Sequence, residues 1–142
     1  MLRGAREIEK VKRDLERKLN VKIDVSGKKI VFEGDAVDEY EASMFFDAIN
    51  FGFSVKKSLQ LKDEDFIFRK VHIRDHTRRK SLADVRSRLI GTKGKTRRVV
   101  EEISGCDLII HDNEVGILGN TEFVDVAETT IINLIKGTKQ SN

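Results

Sequence analysis

Ile90-Gly91-Thr92-Lys93-Gly94-Lys95 is the stretch on which the reading of this chain turns. A basic segment with helical spacing, Lys80 to Leu89, leads into it, and a second, Lys95 to Ser104, leaves it. The apolar run Leu108-Ile109-Ile110 then reads as a strand. Two glycines separated by two residues, between two helices, predict a tight loop at a helix N-terminus. Glycine has no Cβ, so another backbone can come very close. The unpaired N–H groups of the second helix's first turn point the same way, and the helix dipole adds positive potential. Lys93 and Lys95 add full charges. Such a loop can hold a phosphate chain.

Outward from this loop, the chain repeats itself. Shifted by 85 positions it matches without a gap: Gly34 falls on Gly119, Ala42 on Ala127, Gly52 on Gly137, Lys10 on Lys95, Arg13 on Arg98 and Glu16 on Glu101. Apolar positions agree as well, among them Leu15 with Val100, Ile23 with Leu108, Ile30 with Val115 and Phe32 with Ile117. Two copies of one supersecondary unit follow.

Each copy reads helix, strand, strand, helix. In the first, Ile8, Val11, Leu15 and Leu19 are spaced for one face of one helix, and Asn20 ends it where the second copy has Gly105. Val21, Ile23 and Val25 alternate as a strand, as do Ile30 and Phe32, with Ser26-Gly27 as the turn. Asp35 is placed to cap a helix burying Val37, Tyr40, Met44, Phe45, Ala48 and Ile49, and Gly52 stops it. In the second copy Asn120 is the cap, Phe123, Ala127, Ile131, Leu134 and Ile135 the stripe, and Gly137 the stop. That copy also has an alternating strand pattern, Phe66 to Ile73, and a helix marked by Leu82, Val85 and Leu89 ahead of the loop. The predicted organisation is therefore an N-terminally truncated repeat over 1–52, a linker over 53–65 with a helical turn capped by Ser54, and a complete unit over 66–142.

Composition narrows the function. Hydrophobic residues make up 39% of the 142, enough for a core, and no apolar run approaches the roughly 18 residues of a membrane span. The first residues have no apolar signal-peptide region, and Cys106 is alone, so no internal disulfide can form; a cytoplasmic protein is expected. Cys106 reads as a buried residue at a strand start. Net charge is only +3, but Arg69 to Arg98 holds twelve Lys and Arg against Asp75 and Asp84, a local +10, leaving −7 elsewhere. Basic clustering on one element is the electrostatic footprint of nucleic-acid binding.

Catalysis and metal binding fit poorly. Gly94-Lys95-Thr96 imitates the end of a nucleotide-binding P-loop, but that motif needs a glycine at position 89, which is Leu, and a strand before it. His72 and His76 straddle a strand end with no third ligand near in sequence, so no metal site is expected. No nucleophile, base and orienting group converge, so an enzyme is not expected, and nothing calls for a cofactor.

The loop resembles the GXXG loop of a KH domain, which clamps the backbone of single-stranded nucleic acid. The wider stretch RLIGTKGKTRRVVEEISG, with Gly52-Phe53-Ser54 at the join, resembles the second KH repeat of the archaeal and eukaryotic "partner of Nob" ribosome-assembly factors. The resemblance implies an α+β fold of two tandem KH-like repeats. The second is complete, a three-stranded sheet backed by three helices. The first is degenerate: Arg6-Glu7-Ile8-Glu9 stands where Gly91-Thr92-Lys93-Gly94 stands in the second. It lacks its opening strand and most of its opening helix, whereas the family's first repeat is normally complete.

The expected activity is binding. Gly91 and Gly94 let a phosphate backbone pass, with Thr92 between them at the loop tip. Lys93, Lys95, Arg97 and Arg98 neutralise it, with Arg88 on the preceding helix. Ile90, Val99, Ile103 and either Leu108 or Ile110 would floor a groove for bases, read near Ile110 and His111. The resemblance implies small-subunit ribosomal RNA near its three-prime end as the ligand, and the Nob endonuclease or other small-subunit assembly factors as partners. A generic KH module for messenger RNA or single-stranded DNA is the alternative.

Overall fold

The computed structural model describes residues 5–137. The chain divides into two compact units, with the division between Phe66 and Ile67.

The first unit opens with two short helices, α1 (Ala5–Lys10) and α2 (Lys12–Leu19), rather than the single helix expected. They break at Val11, whose N–H donates to the Ile8 carbonyl at 3.1 Å, one residue short of the helical spacing. The bend lets Ile8 and Leu15 both reach the core, each fully buried. Asn20 ends α2 in the left-handed conformation (φ 56°, ψ 43°). Strands β1 (Lys22–Ser26) and β2 (Lys29–Glu33) pair antiparallel, Ile23 opposite Phe32.

Helix α3 (Ala36–Phe51) closes this unit by burying Ala42, Phe45, Phe46, Ala48 and Ile49. Phe46 stacks on Phe32 at 4.9 Å and meets Phe45 edge-on. Val37 and Tyr40, expected on this stripe, are 71% and 66% exposed. The inward side of the first turn belongs instead to two acids. Asp38 accepts from Asn20 Nδ2 at 2.8 Å, and Glu39 accepts from the Gly34 N–H at 3.0 Å. Asp35 holds the cap position without a side-chain cap bond. Ser54 does cap α4 (Val55–Ser58), accepting from the Lys57 N–H. The segment after Gly52 folds onto this unit: Phe53 and Leu61 are buried, and Val55 and Leu59 pack on its core.

The second unit runs β3 (Phe66–His72), α5 (Leu82–Ile90), α6 (Lys95–Ser104), β4 (Asp107–His111), β5 (Glu114–Asn120) and α7 (Thr121–Lys136). Its sheet has the order β3-β5-β4, with β4 and β5 antiparallel and Leu108 opposite Ile117. Three helices back it, giving the α+β arrangement expected. Its core joins Val71 and Ile73 to Leu82, Val85 and Leu89 of α5, Leu108 of β4 and Val115 and Ile117 of β5. Burying each such aliphatic side chain contributes about 1.5–3 kcal/mol. Helix α7 adds Val124, Ala127, Ile131 and Ile135. Phe123, expected on that stripe, is 49% exposed. One residue is a rotation of about 100° on a helix, and the inward line passes through Val124. Asn120 caps α7 as expected, accepting from the Glu122 N–H at 3.0 Å.

Candidate nucleic-acid interface

Helix α5 fixes the loop by what it buries. Leu82, Val85 and Leu89 anchor one face, so the last residue, Ile90, turns outward and is 39% exposed. The helix stops at Gly91 (φ 76°, ψ 172°), whose N–H still donates to the Ser87 carbonyl. A Cβ at Gly91 would lie 2.7 Å from the Thr96 backbone nitrogen and would collide with the Thr96 side chain. Positive φ and this close approach both demand glycine here.

One tight turn follows. The Gly94 N–H donates to the Gly91 carbonyl at 3.1 Å, and Lys93 itself is left-handed (φ 55°, ψ 30°). Helix α6 then starts at Lys95 without a side-chain cap, the Lys95 N–H donating to the Thr92 carbonyl, so its N-terminus lies at the loop. Thr92, Lys93 and Lys95 are all exposed beside it. This is a positive helix terminus with two ammonium groups over it.

The arginines are less free than the lysines. Arg98 Nη1 donates to the Lys93 carbonyl at 2.7 Å, bracing the loop from beneath. Arg97 Nη1 reaches the Leu108 carbonyl at 3.3 Å and lies 3.9 Å from Glu101. Arg88 turns away from the loop altogether: its Nη1 donates to the Leu134 carbonyl at 2.9 Å, at the C-terminus of α7. A cation there is favoured by the dipole of that helix. Sequence spacing shows the charges but not these carbonyl partners, of which Leu134 lies 46 residues from Arg88.

Apolar side chains are exposed on both helices that flank the loop. Val99 is 42% exposed and Ile103 68%, both on α6, and Ile90 ends α5. Of the two strand residues left open for the groove floor, Leu108 is buried in the core and Ile110 is only partly buried. His111, at the end of β4, has Nε2 3.4 Å from Asp112.

Other candidates have structural partners. His72 Nδ1 lies 3.2 Å from Glu114, and among the described residues no group of three His, Cys, Asp or Glu could hold a metal ion. Cys106 is buried at the start of β4, and burial holds its thiol pKa above the ordinary range. Arg69, counted in the basic segment, bonds Asp125 at 2.7 Å and Glu128 at 2.8 Å, tying β3 to α7. The hydrogen bond to Asp125, foremost, raises its already high pKa. Among the described residues no helix is long and apolar enough to cross a membrane.

Comparison with known proteins gives several likenesses. The family model of the eukaryotic-type (type I) KH domain, in its form for the second such domain of PNO1, matches residues 67–142. A KH domain-containing protein of Methanocaldococcus jannaschii is 28% identical over 134 residues, covering 89% of this chain and 59% of its own length. The pre-rRNA-processing protein pno1 of Emericella nidulans is 25% identical over 129 residues, covering 84% of this chain and 50% of its own. The chain thus spans about half the length of the curated relatives it matches. A chain in the crystal structure of the a/eIF2alpha-aDim2p-rRNA complex from Pyrococcus horikoshii superposes with a TM-score of 0.78 at 27% identity, covering 93% of this chain and 77% of that one.

Proposed function

This chain belongs to the PNO1-type KH-domain family, and from that premise we propose that it binds single-stranded ribosomal RNA through the loop Gly91–Gly94. The observation that carries the reading is the closure of that loop. Gly91 is pressed on Thr96, Arg98 holds the Lys93 carbonyl, and Thr92, Lys93 and Lys95 stand outside. A phosphate backbone crossing the loop meets glycine Cα atoms, the positive end of α6 and two ammonium groups together. Ile90, Val99 and Ile103 offer unstacked bases an apolar wall.

The ligand is small-subunit ribosomal RNA near its mature three-prime end, and the process is assembly of that subunit in the cytoplasm. The rRNA of the Pyrococcus complex and the pre-rRNA processing for which the Emericella relative is named support this choice. The role is binding rather than catalysis, and the Nob endonuclease or another assembly factor is the protein partner.

The double variant Thr92→Asp/Lys93→Asp tests the loop. Both side chains are exposed, so the fold should survive while carboxylates face the phosphates. Loss of binding to a three-prime-end ribosomal RNA fragment, with an unchanged circular dichroism spectrum, is expected. Normal binding by the folded variant would refute the loop assignment. A DNA oligonucleotide of the same sequence, competing equally well, would favour a generic single-strand module.

A further inference from the structure

The basic segment Arg69–Arg98 carries more charge than the loop uses. Six of its cations are tied into the fold: Arg69 to Asp125 and Glu128, Arg86 to Asn113, and Arg74, Arg88, Arg97 and Arg98 to backbone carbonyls. Lys93 and Lys95 belong to the loop. A further group sits ahead of α5, in the chain Arg74-Asp75-His76-Thr77-Arg78-Arg79-Lys80.

The fold shapes part of that group into a recess. A hollow of about 500 Å³ is lined by Arg74, Asp75, His76, Thr77, Arg78 and Lys136. Lys136 comes from the end of α7, 58 positions after Arg78, so the charge there is assembled by folding. Arg74 Nη1 donates to the Arg79 carbonyl at 2.8 Å, which sets the turn. Arg74, Arg78 and Lys136 are exposed, and none forms an ion pair among the described residues, although Asp75 lies in the same lining.

We propose that this recess is a second phosphate site, which takes the backbone of the same RNA strand after it leaves the Gly91–Gly94 loop. The inference rests on the loop reading given above. One feature connects the sites. Arg88, three residues before Gly91, reaches the Leu134 and Ile135 carbonyls, and Lys136 is the next residue of that same helix end. The recess therefore lies beside the element that the loop-bearing helix touches. Its donors are also of the right kind: guanidinium groups present planar N–H forks to phosphate oxygens, and an ammonium adds a point charge. A strand longer than the roughly four nucleotides clamped by a GXXG loop would reach it.

The test compares two RNA lengths on Arg78→Glu/Lys136→Glu, leaving Arg74 to hold its turn. Probes are ribosomal-type oligoribonucleotides of about four and about twelve nucleotides, within the range single-strand sites cover. The variant should bind the short probe within about twofold of wild type. It should bind the long one roughly tenfold more weakly, with the slope of log affinity on log salt shallower by about 1.4. Unimpaired binding of the long probe, at an unchanged slope, would overturn the second site while leaving the loop intact. Equal losses on both probes would also overturn it, since the cations would then act as a general field. If wild type binds neither probe, the loop reading fails and this site fails with it. Circular dichroism and thermal melting of the variant verify its fold, and a double Arg78→Gln/Lys136→Gln variant, removing charge without adding any, should fall between.

Discussion

The Glu101 carboxylate accepts the Leu108 backbone N–H at 2.9 Å, joining the end of α6 to the start of β4. The same bond recurs 85 residues earlier, where Glu16 accepts the Ile23 N–H at 2.7 Å. The repeat is thus a repeat of hydrogen bonds as well as of letters. A carboxylate that accepts a strand N–H makes a charge-assisted bond, stronger than a neutral one. Glu101→Ala should destabilise the second unit by about 1.5 kcal/mol and raise exchange of the Leu108 amide. The Ile23 amide should be untouched, and Glu16→Ala should do the reverse. Amide exchange followed by NMR reads both; a Glu101→Ala protein with Leu108 still protected would show that the bond is incidental.

How much of this is legible in the sequence depends on what each residue answers to. Period and spacing locate the elements, because Val71, Val85, Leu89 and Ile117 are buried by patterns local to their own segments. First turns are harder to read. Val37 and Tyr40 fit a helical stripe, yet the inward side is taken by Asp38 and Glu39 through partners on other elements. The loop's glycines are legible because backbone geometry there is local. The fates of Arg88, Arg97 and Arg98 are not, since each is decided by a carbonyl that only the fold brings near. Lys136 in the basic recess is illegible for the same reason.

Loop stability and loop affinity should separate. Gly91→Ala meets both a positive φ and the Thr96 backbone at 2.7 Å, so it should cost about 2 kcal/mol and weaken RNA binding. Lys93→Gly acts the other way. Lys93 is a non-glycine residue in the left-handed region (φ 55°), and relieving it should raise stability by roughly 0.5 kcal/mol after the added chain entropy. It also removes one of the two ammonium groups proposed to meet phosphate. Urea melts alongside RNA titrations should show stability rising as affinity falls; a fall in both would place Lys93 in the packing rather than the contact surface.

Salt dependence distinguishes free cations from bound ones. Four neutralised phosphates, as the sequence alone suggests, give a slope of log affinity on log salt of about −3. With Arg97 and Arg98 committed to carbonyls, Lys93 and Lys95 remain, and a probe of about four nucleotides should give about −1.4. A slope near −3 on that probe would mean that the two arginines leave their carbonyls when RNA arrives.

Cys106 should behave as a core residue. A Cβ at Gly119 would stand 2.6 Å from the Cys106 sulfur, so Gly119→Ala should cost about 2 kcal/mol. Burial raises the thiol pKa in the folded state. The folded protein then resists losing that proton, so stability is unaffected below the unfolded thiol pKa of about 8.5 and declines as pH rises above it. Thiol reagents at neutral pH should label the urea-unfolded chain and spare the native one; rapid native labelling would contradict the burial.

The two repeats should divide the work, and matched variants can show it. Lys95 and Lys10 occupy the same place in the two copies, as do Arg98 and Arg13. At the place of Lys93 the first copy has Ile8, which is fully buried, and Glu7 and Glu9 flank it. A buried isoleucine cannot present charge to a phosphate, and carboxylates there repel one. The first sheet also has only two strands among the described residues, where the second has three. An open strand edge suits a protein partner better than an RNA backbone. Lys10→Glu/Arg13→Glu should therefore change RNA affinity by less than about twofold, in keeping with screened surface charge. Lys93→Glu/Lys95→Glu should lower it by roughly tenfold or more, because like charges then meet at the loop. Lysines are chosen in the second copy because Arg97 and Arg98 also hold backbone carbonyls, so their loss would mix folding with binding. All four targeted residues are exposed, which keeps the comparison one of charge. Equal losses in the two variants would make both repeats one continuous RNA surface and would end the division proposed here.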